Sequence, residues 1–274
     1  MDANDPLSKV FFDNTSGSSA ILTQLMAFII NQAKDEDWEE KTIQTIEFGI
    51  RELIHFEVVK HFLESLKNDL PTFESSKDLI LWVNKYETHW SSITDKWLEV
   101  LLGILTGNNI TISTHSQSES LKSVFYELSK TNLHLKIFQT QSGPANEGEL
   151  QANWLVNKGI EVILTTDSIA PSFVEKSDIV LMGCDGIYSD GFINKAGSLA
   201  LCLAAKQFVK PVYILADSRK ISYNVAPKEK PKPSPEVTSR THPNLEILNL
   251  YFEKIPHNLV TGYITEKGIL EENK

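Results

Sequence analysis

Cysteine is scarce in this sequence, and long apolar runs are absent. Two of the 274 residues are cysteines, Cys184 and Cys202, and both lie among apolar neighbours. This usage indicates reduced, buried thiols and not the disulfide framework of a secreted domain. No apolar stretch reaches the roughly 18 residues of a membrane-spanning helix, and the N-terminus does not resemble a signal peptide. The sequence therefore predicts a cytoplasmic protein without a membrane partner.

Basic residues are outnumbered by acidic ones. The chain has 26 Lys and Arg against 36 Asp and Glu, which gives a formal net charge of −10. Non-specific nucleic-acid binding needs a basic surface, so this balance argues against direct nucleic-acid binding. An anionic ligand would have to be held by a local pocket. The glycines form neither a dinucleotide fingerprint nor a P-loop, so we expect no cofactor.

The first third of the chain has the periodicity of helices. A polar loop at 14–19 precedes an amphipathic segment at 21–29. A longer apolar stripe predicts one long helix over 38–66. A break is predicted at 68–76, and the pattern over 79–105 is again helical. We expect these segments to form a helical domain that spans residues 1–107.

From residue 109 onward, short apolar runs alternate with helical patterns. The predicted strands lie at 110–113, 133–138, 162–164, 179–182 and 212–215. This order predicts a parallel sheet covered by helices, with right-handed crossovers. We expect a Rossmann-like α/β domain over 108–274. Within it, the five prolines of 226–243 indicate an extended, mobile loop, and 259–264 has strand character.

One stretch in the middle of the chain brings polar side chains to the ends of predicted strands. The apolar run Ile179–Met182 is followed closely by Asp185. Asn194 and Lys195 precede a segment with helical spacing, so they are predicted to open a helix. Ligands of open α/β sheets bind at the carboxyl ends of the strands. The acid, the amide and the amine therefore form a candidate binding site.

This stretch also resembles a family signature. The letters GCDGIYSDGFINKAG are similar to the pattern GAD-x-x-x-x-x-G-x-x-x-NK-x-G. That pattern belongs to the family that joins methylthioribose-phosphate isomerases, ribose-bisphosphate isomerases and the α, β and δ regulatory subunits of translation initiation factor 2B. The later segment NLYFEKIPHNLVTGYITEKGIL resembles the family's terminal pattern. The resemblance implies an N-terminal helical domain, a Rossmann-like parallel-sheet domain of the NagB/RpiA/CoA-transferase type, and a homodimer formed through the C-terminal domain.

The isomerases of this family open an aldose phosphate with a cysteine and an aspartate. Asp185 matches the aspartate, as an acid/base or hydroxyl-binding group, although a turn-capping role is the alternative. Ser116 stands in place of the cysteine, within Thr114–Ser118. A serine hydroxyl is a much poorer acid or nucleophile than a thiol, and no motif supplies a base for it. Cys184 is a conceivable replacement nucleophile, but its position suits a buried structural thiol.

Other candidate ligand-binding residues lie in the segments that correspond to the family's binding site. The residues implied are Ser16, Gly17, Ser18, Ser19, His115, Glu147, Asn194 and Lys195. The Ser/Gly loop occupies the place of a phosphate-binding R-G-A loop but has no arginine, so it either binds phosphate through its amides or caps a helix. Asn194 and Lys195 bind substrate in the family; the alternatives are an N-cap and a solvated lysine. Glu147 replaces a glutamine and would repel an anion, and His115 alone is no metal site.

These departures favour a non-catalytic protein similar to the initiation factor 2B subunits. It would bind a phosphosugar or a nucleotide and act in regulation or assembly, with a translation factor as a possible partner. The alternative is an aldose–ketose sugar-phosphate isomerase with altered residues, which would use Asp185 with Ser116 or Cys184.

Overall fold

The computed structural model of the protein describes residues 17–53 and 56–270, and its first third is helical. The helices are α1 (Ser18–Gln32), α2 (Trp38–Glu52), α3 (Glu57–Asp69), α4 (Ser76–Ser91) and α5 (Thr94–Ile104). Apolar residues at helical spacing bury one stripe of α1 to α4, and these stripes pack into a common core around Leu25, Phe62 and Leu66.

The long helix predicted over 38–66 is broken, so that prediction was wrong. The predicted helix over 38–66 divides into α2 and α3, because the chain leaves helical geometry at Leu53. The break lets the Glu57 amide donate to the Asp185 carbonyl at 3.2 Å. The segment 79–105, predicted to be helical, contains most of α4 and all of α5. Apolar periodicity runs across the break at Leu53 and therefore does not reveal it.

From Asn109 onward, strands and helices alternate. The strands are β1 (Asn109–Thr114), β2 (His134–Thr140), β3 (Glu161–Thr165), β4 (Ile179–Gly183), β5 (Gly186–Tyr188), β6 (Gly191–Lys195), β7 (Val212–Leu215), β8 (Phe252–Ile255), β9 (Gly262–Thr265) and β10 (Gly268–Leu270). The intervening helices are α6 (Glu119–Ser129), α7 (Glu147–Asn157), α8 (Ala170–Val174) and α9 (Ser198–Gln207).

Seven of these strands form the central sheet in the described part of the chain. Their order is β10-β9-β7-β4-β1-β2-β3, and neighbours are parallel except for the β9–β10 pair. Every residue of β4 is buried, as expected for a strand in the interior of a parallel sheet. The predicted fold class, helices followed by a mostly parallel α/β sheet, is confirmed.

Helix α5 packs on this sheet. Trp97 and Leu101 belong to the same buried cluster as Ile112 and Leu181 of the central strands. The Trp97 indole N–H also donates to the Ala216 carbonyl at 3.0 Å, beyond the end of β7. The division of the chain at 107/108 stays a prediction. No helix in the described ranges has the length and apolar character needed to cross a membrane.

Strands β5, β6 and β8 form a small antiparallel sheet, which corrects the predicted start of a helix. Asn194 and Lys195 end strand β6 and pair with β8. The helix begins later, at Ser198, after Gly197 turns the chain with a φ of 112°. The Asn194 amide still reaches that helix, because it donates to the Ser198 hydroxyl at 2.9 Å. The pairing partner β8 lies nearly sixty residues away in sequence, where local patterns give no signal.

The proline-rich segment 226–243 has little regular structure, but hydrogen bonds join it to Asn249 and Tyr251, next to the strand ends. Its Glu236 carboxylate accepts hydrogen bonds from the Asn249 amide and the Tyr251 hydroxyl, each at 2.7 Å. The Lys232 amide donates to the Asn249 carbonyl at 2.8 Å. These contacts hold the segment beside Tyr251, whose ring reaches the candidate site.

Candidate ligand-binding site

A pocket lies where β1, β4 and β7 end, beside the starts of α1 and α7, at the edge where open α/β sheets hold ligands. The predicted site residues that line it are Gly17, Ser18, Ser19, His115, Ser116, Glu147, Asp185, Asn194 and Lys195. Ser16, also predicted, lies outside the described residues. The free space is about 40 Å³. A buried water needs about 10–15 Å³ by this measure, so a larger ligand requires lining side chains to move.

Asp185 lies at the end of β4 with its carboxylate buried. The carboxylate accepts hydrogen bonds from the backbone amide and the hydroxyl of Ser18, at the start of α1. Burial raises the pKa of the Asp185 carboxyl above its ordinary value, although the nearby Lys220 ammonium and Ser18 oppose the shift. A carboxyl in this setting can hold a proton more readily than an exposed aspartate does.

Ser116, in place of the family cysteine, is bonded to a buried ion pair. The Ser116 hydroxyl donates to Glu147 Oε1 at 3.0 Å. Lys195 Nζ lies 2.9 Å from the same oxygen, with only 3% of the lysine side chain and 7% of the glutamate side chain exposed. Glu147 Oε1 contacts both Ser116 and Lys195. This one oxygen therefore holds the two side chains in fixed positions relative to each other. Ser116 itself has a φ of 67°, in the left-handed region.

His115 is held in one tautomer. Its Nε2 lies 2.8 Å from the Ala196 carbonyl, which only accepts, so Nε2 carries the proton. Nδ1 therefore accepts from the Thr140 hydroxyl at 2.5 Å. Burial lowers the pKa of the His115 imidazole. A Cβ on Gly197 would come within 2.7 Å of this ring, so glycine is required for the close approach. His115 is therefore a neutral group, and its two hydrogen bonds hold the pocket wall in place.

The helix starts around the pocket are occupied by carboxylates of the protein itself. Asp185 accepts from the Ser18 amide at the start of α1. Glu253 accepts from the Gly197 amide and one further amide at the start of α9, each at 2.8 Å. Glu147 lies in the first turn of α7. Free amides at helix starts bind phosphate, but at α1 and α9 these amides already have anionic partners.

Lys220 and Tyr251 are among the lining residues that the sequence analysis does not predict. Lys220 Nζ donates to the Cys184 carbonyl at 2.6 Å and is buried beside Asp185. The Tyr251 ring lies 4.1 Å from Lys195 Nζ, a cation–π contact. Lys220 lies five residues beyond a predicted strand end. This position is the only feature of the sequence that could have indicated it as a site residue.

The thiols do not provide an activated nucleophile. Burial raises the pKa of the Cys184 thiol to about 12, and the pKa of Cys202 likewise to about 12. A thiol of this kind stays protonated near neutral pH, which argues against Cys184 as a replacement nucleophile. Within residues 17–53 and 56–270, no group of three or more His, Cys, Asp or Glu side chains is arranged to hold a metal ion.

The fold and the pocket define a Rossmann-like α/β protein with an added helical part and a buried polar site at the strand ends. The model of the Initiation factor 2 subunit family matches residues 17–272, and the chain belongs to this family.

Some of the curated relatives are described as initiation factor subunits and others as sugar-phosphate isomerases. A "Putative translation initiation factor eIF-2B subunit 2-like" protein of Pyrococcus abyssi is 34% identical over 160 residues, covering 58% of this chain and 57% of that protein. A methylthioribose-1-phosphate isomerase of Bacillus pumilus is 32% identical over 162 residues, covering 54% of this chain and 46% of the isomerase. The chain thus spans about half the length of the curated relatives that it matches.

Solved structures share the fold over nearly the whole chain. The translation initiation factor eIF-2B of Pyrococcus horikoshii superposes with a TM-score of 0.83 at 21% identity, covering 98% of this chain and 96% of that one. A chain of the tetrameric eIF2B-beta2-delta2 complex from C. thermophilum superposes with a TM-score of 0.66 at 14% identity, covering 97% and 88%. At these identities the likeness concerns the fold.

Proposed function

We propose that this chain is a non-catalytic member of its family, which acts in regulation or assembly as the initiation factor 2B subunits do. The observation that supports this role is the Ser116–Glu147–Lys195 contact. The hydroxyl that replaces the thiol donates to a carboxylate oxygen already paired with an ammonium. The site therefore has neither the thiol nor a free base to activate a hydroxyl.

The proposed partners are homologous subunits. The structural relatives include a tetrameric complex that contains two kinds of such subunit. We propose that this chain forms a homodimer in the cytoplasm through its C-terminal part, as the family resemblance implies, and that a translation factor binds the assembled form.

Affinity purification of the tagged full chain from its native cells tests this role. We expect stoichiometric recovery of a second copy or of a homologous subunit, together with a translation factor, by mass spectrometry. A tagged protein of similar size and charge from the same cells is the control. Recovery of the monomer alone would contradict the assembly role.

A second candidate is a sugar-phosphate isomerase with altered residues. The buried Asp185, whose pKa is raised by burial, favours it, because such a carboxyl can act as a general acid. Incubation of the protein with aldose 1-phosphates, followed by NMR, tests this alternative. Ketose formation that disappears in Asp185→Asn would support the isomerase, and no turnover would support the non-catalytic role.

A further inference from the structure

The Glu147 carboxylate has one engaged and one unengaged oxygen. Oε1 accepts from the Ser116 hydroxyl at 3.0 Å and from Lys195 Nζ at 2.9 Å. Oε2 is buried and has no hydrogen-bond partner among the described residues. Buried acceptors are nearly always paired with a donor in folded proteins. Oε2 is therefore an acceptor position available to a ligand.

A second acceptor lines the same pocket. Gln117 Oε1 is buried and likewise lacks a partner within the described ranges. The orientation of this amide is fixed, because its Nε2 donates at 3.2 Å to Glu119 Oε1, which only accepts. Both residues are part of the pocket wall. Two unpartnered acceptors call for a ligand that brings hydrogen-bond donors.

The charges of the pocket favour the same kind of ligand. Its two lysines are both engaged, Lys195 with Glu147 and Lys220 with the Cys184 carbonyl. Three carboxylates, Glu119, Glu147 and Asp185, also line the pocket, and Glu119 is already paired with Lys122 at 2.7 Å. A phosphate ester is an anion with mostly acceptor oxygens near neutral pH. It would have to displace Glu147 from Lys195 and leave that carboxylate buried without its cation, which is costly.

We propose that Glu147 makes this pocket selective for a neutral ligand rich in hydroxyl donors, such as an unphosphorylated sugar, and closes it to phosphate esters. This proposal differs from the phosphorylated ligand predicted from the sequence. It concerns the selectivity of the pocket and is independent of whether the chain assembles with homologous subunits.

Calorimetric titration with ribose and ribose 5-phosphate tests the proposal. For the unchanged chain, we expect ribose to bind at least about tenfold more tightly than its phosphate ester, because a like charge in a poorly solvated site is strongly disfavoured. Glu147→Gln should reverse this order, since Lys195 is then free. The matched control is Glu149→Gln, on the same helix, whose carboxylate bonds the Gln141 amide at 2.8 Å. This control should keep the original order.

Three outcomes would overturn the proposal. These are equal or tighter binding of ribose 5-phosphate by the unchanged chain, no saturable binding of ribose, or an unchanged order in Glu147→Gln. The double variant Glu147→Gln/Lys195→Met should gain no affinity for the phosphate ester, and a gain would refute the role of Lys195. If Glu147→Gln does not fold alone, restoration of its fold by ribose 5-phosphate supports the proposal and failure to restore it contradicts the proposal.

Discussion

The Lys195 ammonium lies 2.9 Å from the Glu147 carboxylate, and each of these side chains is less than a tenth exposed. Forty-eight residues separate them in sequence, and they come from the small sheet and from α7. Burying two charges costs desolvation energy that their attraction offsets only with good geometry. The pair therefore holds the pocket in one arrangement. Each buried charge needs its partner to offset the cost of its desolvation.

Removal of one partner of this pair should destabilise the fold strongly. We expect Lys195→Met to lower the free energy of unfolding by about 3–5 kcal/mol, because Glu147 is then a buried charge without its cation. Urea denaturation measures the change. Lys96→Met, which breaks a pair whose side chains are 64% and 76% exposed, is the control and should shift the midpoint little. A loss for Lys195→Met no larger than the control's would contradict the buried-pair account.

The carboxyl of Asp185 should titrate above its ordinary range. Burial raises its pKa, so the folded state holds this proton to a higher pH than the unfolded chain does. Its contribution to stability is therefore fully present below the unfolded value and is lost as pH rises through the folded pKa. Carbon-13 NMR of the side-chain carboxyl gives the midpoint directly. Asp190, whose pKa is lowered by the hydrogen bond from Lys254, provides the contrast in the same spectra. An Asp185 midpoint at or below that of Asp190 would refute the assignment.

His115 should make the fold less stable in mild acid. Burial lowers its pKa, so the folded state binds fewer protons than the unfolded chain. Stability is full above the unfolded value near 6.5 and falls as pH drops, by up to about 1.4 kcal/mol per pH unit until the folded pKa is reached. Denaturation at pH 7.5 and 5.5 measures this difference for the unchanged chain and for His115→Gln. Equal losses in the two proteins would show that His115 does not carry the effect.

The sequence predicted the parallel sheet well because its strands are short apolar runs. The run Ile179–Met182 is buried on every side, and the predicted strand matches β4 closely. Asn194 and Lys195 were assigned to a helix because their strand depends on pairing with the distant β8. The contact between Glu147 and Lys195 was likewise invisible, since it is made by tertiary packing. The predicted strand ends and the family signature located the polar site, but only the fold shows which of its charges are paired.

Substitution of Gly197 should destabilise the fold. It has a φ of 112°, and an added Cβ would approach His115 Cε1 to 2.7 Å. Gly159 also has a positive φ, of 80°, but an added Cβ there meets nothing within 4 Å. We expect Gly197→Ala to cost about 1–3 kcal/mol more than Gly159→Ala, because it adds overpacking to the same kind of backbone strain. Thermal unfolding of the two variants compares these costs. Equal losses of stability would show that the His115 ring can move to make room for the added Cβ.

A crystal structure of the Glu147→Gln variant with ribose 5-phosphate tests the central claim most directly. The claim is that the protein's own carboxylate fills the anion position beside Lys195. We expect the phosphate group to lie about 2.8 Å from Lys195 Nζ, the usual distance for a charge-assisted hydrogen bond. A structure in which Lys195 turns away to another carboxylate, with no phosphate bound beside it, would contradict the claim.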